Sequence, residues 1–170
     1  MVLLLENTAL RISDIAMLAR DRVRDKVIII RTLKTGQPVS LPVWPTTQIA
    51  LDALPPRRGA EIDPRHFFWN GVTSKRAAVG IAERTLSAVF KKSGVVGAHV
   101  HRFRHTLATR LIGSGASFED VADILGNSPA IVRKHYAKWS TARQDRINRL
   151  MQPPEFGTPV VHEEKQPVIN

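Results

Sequence analysis

At 170 residues, with 43% apolar and 24% charged positions, the chain has enough hydrophobic material for one packed domain and too little length for two ordinary ones. It contains no cysteine, which excludes disulfides, thiolate metal ligands and cysteine nucleophiles. Its net charge of +10 is uneven: residues 153–170 hold three glutamates against one lysine, a balance of −2, so residues 1–152 carry +12. An excess of that size points to a polyanionic partner, because neutralised phosphates release counterions, although a merely basic surface is the blander alternative.

The opening MVLLLENTAL has too short an apolar run and no basic n-region for a secretory signal, and no stretch reaches membrane-spanning length, so a cytoplasmic protein is expected. Residues 1–19 read as a short helix, a polar break at Glu6–Thr8, and a second helix of about ten residues from near Leu10. Arg11 lies near its start with Asp14 three residues on, and locally the pair reads as a surface contact of small value. The β-branched run Val27–Ile30, then Lys34-Thr35-Gly36, then the alternation through Val39, Leu41 and Val43, predicts a hairpin with its turn at Thr35–Gly36 and Lys34 at the tip.

A short helix is expected around residues 46–54, before a loop opened by Leu54-Pro55-Pro56-Arg57-Arg58-Gly59. His66–Trp69 reads as a short extended aromatic piece, and a helix from about Ser74 to Lys92 mixes apolar positions with Lys75, Arg76, Arg84, Lys91 and Lys92. From His101 the pattern is helical to about Ile112, with Phe103, Leu107 and Leu111 as the expected buried stripe and His101, Arg104 and His105 together on a neighbouring face. Ser117 with Asp120 resembles a capping box, and Ser128-Pro129 supplies an N-cap and first-turn proline for a helix that carries Val132 and Tyr136 on one face. A further helical piece is expected from about Thr141 to Met151. Beyond Pro153-Pro154 the tail loses helical period and changes charge sign, and reads as an extension that is loosely held or docks on a neighbour. No repeat, no phosphate-cradling glycine loop and no convincing metal-ligand spacing is present in the sequence.

The stretch HRFRHTLATRLIGSGASFEDVADILGNSPAIVRKHY, residues 101–136, begins with a histidine and an arginine three apart and ends with the only tyrosine. A phenol attacks phosphorus poorly unless cations stabilise the phosphate, and the arginine fork suits that task, so the arrangement points to phosphoryl transfer. Taken alone, His101 reads as a core histidine at a helix start and Tyr136 as a packed helix tyrosine with a wet hydroxyl.

ALRISDIAML, LKTG at a hairpin turn, HRFRHTLAT and LGNSPAIVRKHY, in this order, resemble the catalytic domain of the tyrosine recombinases, the phage integrase family, over roughly residues 1–150. The resemblance implies a mixed α+β fold, predominantly helical, with a small antiparallel hairpin or sheet on one side. It makes residues 1–152 a catalytic domain without the usual N-terminal clamp, followed by the tail at 153–170. It implies that Arg11 and Arg104 grip a DNA phosphate, that Tyr136 attacks to give a 3′-phosphotyrosyl link, and that Lys34 protonates the leaving oxygen. His101, the first residue of the HxxR box, would assist the tyrosine proton or hold the phosphate. At Asn127 the family generally has histidine or tryptophan; an amide still donates a hydrogen bond, so slower chemistry is expected rather than none. No metal or other cofactor is implied.

The partner implied is double-stranded DNA from a mobile element, contacted by Arg11, Lys34, Lys75, Arg76, Arg102, Arg104, Arg133 and Lys134, with a homo-tetramer on DNA and a monomer alone. Two other readings stand beside it. Ser117–Tyr136 resembles a helix-turn-helix, so a DNA-binding protein without chemistry or a degenerate integrase is one, and a type IB topoisomerase, which shares the phosphotyrosyl step, is the other.

Overall fold

Where the chain puts its apolar side chains decides the architecture, which a computed structural model describes for residues 1–55 and 65–151. Helix α1 spans Val2–Thr8 and α2 Ile12–Ala16. Strands β1 (Val23–Arg24), β2 (Val27–Arg31) and β3 (Pro38–Pro42) follow a 3-10 turn and form one antiparallel sheet in chain order. Then come α3 (Pro45–Asp52), α4 (Lys75–Ser93), α5 (Val100–Gly113), α6 (Phe118–Leu125), α7 (Pro129–Tyr136) and α8 (Thr141–Leu150). The fold is mostly helical with a small sheet, as expected. The expected tail at 153–170 and the loop from Pro56 to Gly59 lie outside the described residues.

Local chemistry accounts for most boundaries. The Ser74 and Ser128 hydroxyls accept backbone N–H bonds at the starts of α4 and α7, and Ser117 with Asp120 forms the reciprocal capping box of α6. The β2–β3 register pairs Val27 with Pro42 and Arg31 with Pro38, so Ile28 and Leu41 face the core while Ile29 and Ser40 face out.

Three expectations shift. The break between the first two helices falls at Ala9, which sits left-handed at φ 51°, and not at Glu6–Thr8; Asn7 and Thr8 are instead buried in α1, where Thr8 donates to the Leu4 carbonyl and Asn7 bonds Pro42 and Trp44. Helix α2 runs five residues, shorter than expected, because the chain leaves it to form a bridge between Ala19 and His66. In α5 the fully buried stripe is Arg104, Leu107, Ala108 and Ile112, while Phe103 and Leu111 are half-buried, so the helix is rotated to sink an arginine.

Two apolar clusters result. One gathers α1, α2, the sheet, α3 and α4 around Leu4, Leu5, Ile15, Ile28 and Leu86. The other joins α5, α6 and α7 through Ala108, Ile112, Val121, Leu125, Val132 and the ring of Tyr136, with Ala9, the C-cap of α1, reaching into it. Burial of such side chains stabilises each cluster at roughly 25 cal/mol per Å² of apolar surface. Among the described residues no helix is long and apolar enough to cross a membrane.

Candidate active site

At the seam between the clusters two helix C-termini converge, each ending in carbonyls that no intrahelical N–H can satisfy. The Arg104 guanidinium fills that need, donating Nη1 to the Ala9 carbonyl at 3.0 Å and Nη2 to the Leu125 carbonyl. Its burial thus has a structural reason: a cation is favoured where two helix dipoles present their negative ends. Burial, then the neighbouring charge of Arg11, lowers its pKa to about 10, which still leaves it protonated at neutral pH.

Arg11 is the N-cap residue of α2, and its Nη2 donates to the Asn127 side-chain oxygen at 2.6 Å. Its Nη1 is buried and has no hydrogen-bond partner among the described residues. An orphaned buried donor on a cation is costly unless an anion completes it. With its oxygen engaged by Arg11, Asn127 keeps two amide N–H donors, for which the described residues supply no acceptor. The two guanidinium groups are electrostatic neighbours; both act on Asp14, and Arg104 also acts on Tyr136.

Asp14 is not the surface partner expected. It is 3% exposed, and its Oδ1 accepts the Leu33 N–H at 2.7 Å while Oδ2 is buried without a partner. Desolvation raises its pKa against the opposing pull of the Leu33 bond and the Arg11 charge. Leu33 immediately precedes Lys34, and on the other side Thr35 donates its hydroxyl to the Gly126 carbonyl at 2.8 Å and shares a 2.6 Å bond with Thr32. Gly126 adopts φ +58°, and a Cβ there would lie 2.7 Å from Thr32 Cγ2, so only glycine lets the hairpin approach so closely. The Lys34 backbone is pinned on both sides although its side chain is exposed.

Tyr136 ends α7 with 5% of its surface exposed. Its hydroxyl lies 2.8 Å from His105 Nδ1, so the isolated-tyrosine reading of a wet hydroxyl does not hold. Burial raises the phenol pKa and the charge of Arg104 opposes that rise. Burial, then the charges of His101, His135, His99 and Arg104, lowers the pKa of His105. His101 itself is exposed in the first turn of α5, close enough to act electrostatically on His105.

The structure thus gathers Arg11, Arg104, Asn127 and Tyr136, sets His101 at the edge, and holds Lys34 on an anchored turn. Of the remaining basic candidates, Lys75, Arg76, Arg102, Arg133 and Lys134 are exposed. Arg102 bonds the Val96 carbonyl, and Arg133 lies 3.7 Å from Glu119 and over the Phe118 ring. Sequence reasoning gave no role to His105, although its place on the face shared with His101 and Arg104 was visible; it also missed the anchoring by Asp14 and Thr35, for which no local signal exists. Among the described residues no three His, Cys, Asp or Glu side chains group as a metal site requires.

Comparison with known proteins bears on the family and the fold. A XerC tyrosine recombinase from Lactobacillus leichmannii is 34% identical over 68 residues, covering 39% of this chain and 23% of that protein. The fold is similar to that of XerA recombinase, with TM-score 0.61 and 20% identity over 89% of this chain and 57% of that one. It is also similar to the integrase of transposon Tn1549 solved with circular-intermediate DNA, with TM-score 0.61 and 22% identity over 86% of this chain and 58% of that one. The chain thus spans less than two-thirds of the length of each of these relatives. The phage integrase family pattern matches residues 1–143, and with the helical fold, the hairpin turn and the ordered motifs in agreement, the chain belongs to the phage integrase family.

Proposed function

We propose that this chain carries the strand-breaking and rejoining chemistry of a site-specific DNA recombinase, with residues 1–152 as the catalytic domain. The observation that carries the reading is the buried, partnerless Nη1 of Arg11, on a guanidinium that acts on Arg104, which in turn acts on the Tyr136 hydroxyl. A buried guanidinium N–H with no acceptor suits an anion, and the basic body of the chain favours a phosphodiester.

In this mechanism Arg11 and Arg104 hold the non-bridging oxygens of one phosphate and offset the charge that develops at phosphorus, with an Asn127 amide N–H as a supporting donor. The Tyr136 oxygen attacks in line, forming a 3′-phosphotyrosyl bond as the bond to the 5′ oxygen breaks, and the Lys34 ammonium gives that oxygen its proton. Rejoining is the reverse, with a 5′-hydroxyl as attacker and no external energy source. His101, exposed at the edge, contacts the phosphate. Double-stranded DNA is the substrate, Lys75, Arg76, Arg102, Arg133 and Lys134 are backbone contacts, and assembly into a tetramer accompanies binding to paired sites, with a monomer off DNA. The cell compartment is the cytoplasm, where such a substrate lies.

The test is a pool of nicked duplexes with randomised sequence around the nick, incubated with the protein and resolved on a denaturing gel. A covalent adduct that vanishes in Tyr136→Phe is expected. Retained DNA with no adduct would establish a helix-turn-helix-like binder in its place, and relaxation of supercoiled plasmid by a monomer without pairing of sites would establish a topoisomerase.

A further inference from the structure

Of the histidines around Tyr136, His105 bonds the hydroxyl, while the His135 ring lies 6.2 Å away, centroid to centroid. His105 Nδ1 stands 2.8 Å from Oη, with the ring centroids 5.6 Å apart and the planes inclined at 56°. The His101 side chain is exposed, in the first turn of α5, and acts on His105 through its charge. Resting on the proposed recombinase reading, we infer that His105 is a catalytic residue, the acceptor of the Tyr136 phenolic proton during attack.

The placement follows from helix geometry. His105 is the next residue after Arg104, whose two carbonyl bonds fix α5 in rotation, and α7 brings Tyr136 across that face through the burial of Val132. An exposed histidine would ordinarily be free to swing; here the tyrosine hydroxyl and the anchored neighbour define its position. The groups facing the His105 ring are His99, His101 and Arg104 from α5 and its cap, and His135 and Tyr136 from α7. All but the tyrosine are cationic or become so on protonation, and with burial they hold the ring neutral to lower pH than an ordinary histidine. A neutral ring protonated on Nε2 leaves the Nδ1 lone pair toward the phenol, which then donates its O–H.

The step balances without any further reagent. The Oη–H bond breaks and its proton passes to Nδ1, while the oxygen lone pair forms the Oη–P bond. The P–O5′ bond breaks, and the 5′ oxygen takes the proton of Lys34. In rejoining, imidazolium returns its proton to the phenol and the 5′-hydroxyl gives its own to Lys34. The transient imidazolium sits among cations, so its proton is readily returned.

Two measurements test the inference. His105→Gln keeps a polar side chain of similar reach that takes up no proton near neutrality. Adduct formation on the nicked pool is followed against pH for the wild type, His105→Gln and His101→Gln. Wild type is expected to lose rate as pH falls through the His105 titration. His105→Gln should be slower by roughly 100-fold, the usual lower range for a positioned base, and should lack that acid limb. His101→Gln should slow the reaction through weaker phosphate contact and keep the limb.

A His105→Gln enzyme that is faster than wild type would mean that the contact only restrains the tyrosine. One with unchanged rate and pH profile would mean that the contact is incidental. Either result overturns the inference. Absence of adduct in wild type itself would overturn the recombinase reading, and a DNA-free measurement then still judges the contact. Proton NMR titration of the histidines in Tyr136→Phe should show the His105 midpoint rising toward its ordinary value, because the bond that favours the neutral ring is lost. An unmoved His105 midpoint overturns the inference in either case.

Discussion

The floor of the site and its rim are built on different principles. On the floor, Arg104 is buried and bonded to the ends of two helices, Arg11 is bonded to Asn127, and the Tyr136 ring belongs to the same apolar cluster as Leu125 and Val132. At the rim, Lys34 and His101 stand in solvent, the lysine on a turn whose flanking residues alone are held. Charge stabilisation needs groups fixed before the reaction, since reorientation during it would cost part of the gain. Proton donation needs only reach, so a mobile side chain on a fixed backbone suffices. The difference predicts that floor substitutions damage stability and chemistry together, whereas rim substitutions separate them.

Arg104→Ala tests the first half and carries the largest expected effect. It strands the Ala9 and Leu125 carbonyls and removes a charge-assisted donor from each, a loss of roughly 2–4 kcal/mol in folding stability. Urea unfolding followed by circular dichroism measures it. Adduct formation should fall by roughly 1000-fold or more in protein that remains folded. A variant that unfolds at the wild-type midpoint would show that the guanidinium is not a structural element of the floor.

Gly126→Ala comes next and probes the joint between floor and rim. The new Cβ would meet Thr32 Cγ2 at 2.7 Å and Val39 Cγ1 at 3.1 Å, in a left-handed conformation. Thr32 is buried and cannot swing away, so the hairpin must shift, at an expected 1–3 kcal/mol, in the order-of-magnitude range for overpacking. Because the same movement breaks the Thr35 bond to the Gly126 carbonyl, Lys34 moves with it, and adduct formation should drop further than stability alone accounts for.

These two sites also mark how far the sequence could be read. The caps at Ser74, Ser117 and Ser128, the hairpin and the helices of the 101–136 stretch were legible because each rests on residues a few positions apart. The position of the α5 stripe was not, since periodicity assigns apolar residues to the core and the burial of Arg104 depends on helix ends 95 and 21 positions away. The same reason hid Asp14: its partner is the backbone of Leu33, a group that every residue possesses and no pattern distinguishes. The candidate residues were picked out as an ordered set of motifs, and the structure brings Arg11 and Asn127 into contact and Arg104 within electrostatic reach of Tyr136. The contacts that hold them were not, because each joins elements distant in the chain.

Asp14→Asn has a smaller effect, visible as a change in pH dependence. Burial raises this carboxyl's pKa from its ordinary 3.8, so its contribution to stability is present below that value and is lost as pH rises through the folded pKa. Asparagine keeps an oxygen for the Leu33 N–H and never ionises. The variant should therefore lack the loss of stability that the wild type shows as pH rises above about 4, and at pH 7 it should equal or exceed the wild type in urea midpoint. A variant less stable than wild type at pH 7 would mean that attraction between the carboxylate and Arg11 outweighs desolvation.

Lys34→Gln has the smallest expected effect on stability and isolates the rim. The side chain is exposed, and the bonds that hold its turn come from Leu33 and Thr35, so the unfolding midpoint should not move. On the proposed mechanism adduct formation should nonetheless fall by roughly 100-fold or more, because the 5′ oxygen would then leave without a proton. A substrate with sulfur in place of that bridging oxygen removes the need, since a thiolate is a far better leaving group than an alkoxide. Lys34→Gln should recover on the sulfur substrate, whereas Arg104→Ala, which acts on charge at phosphorus, should not. Equal recovery of both variants would erase the proposed division of labour between a fixed floor and a mobile rim.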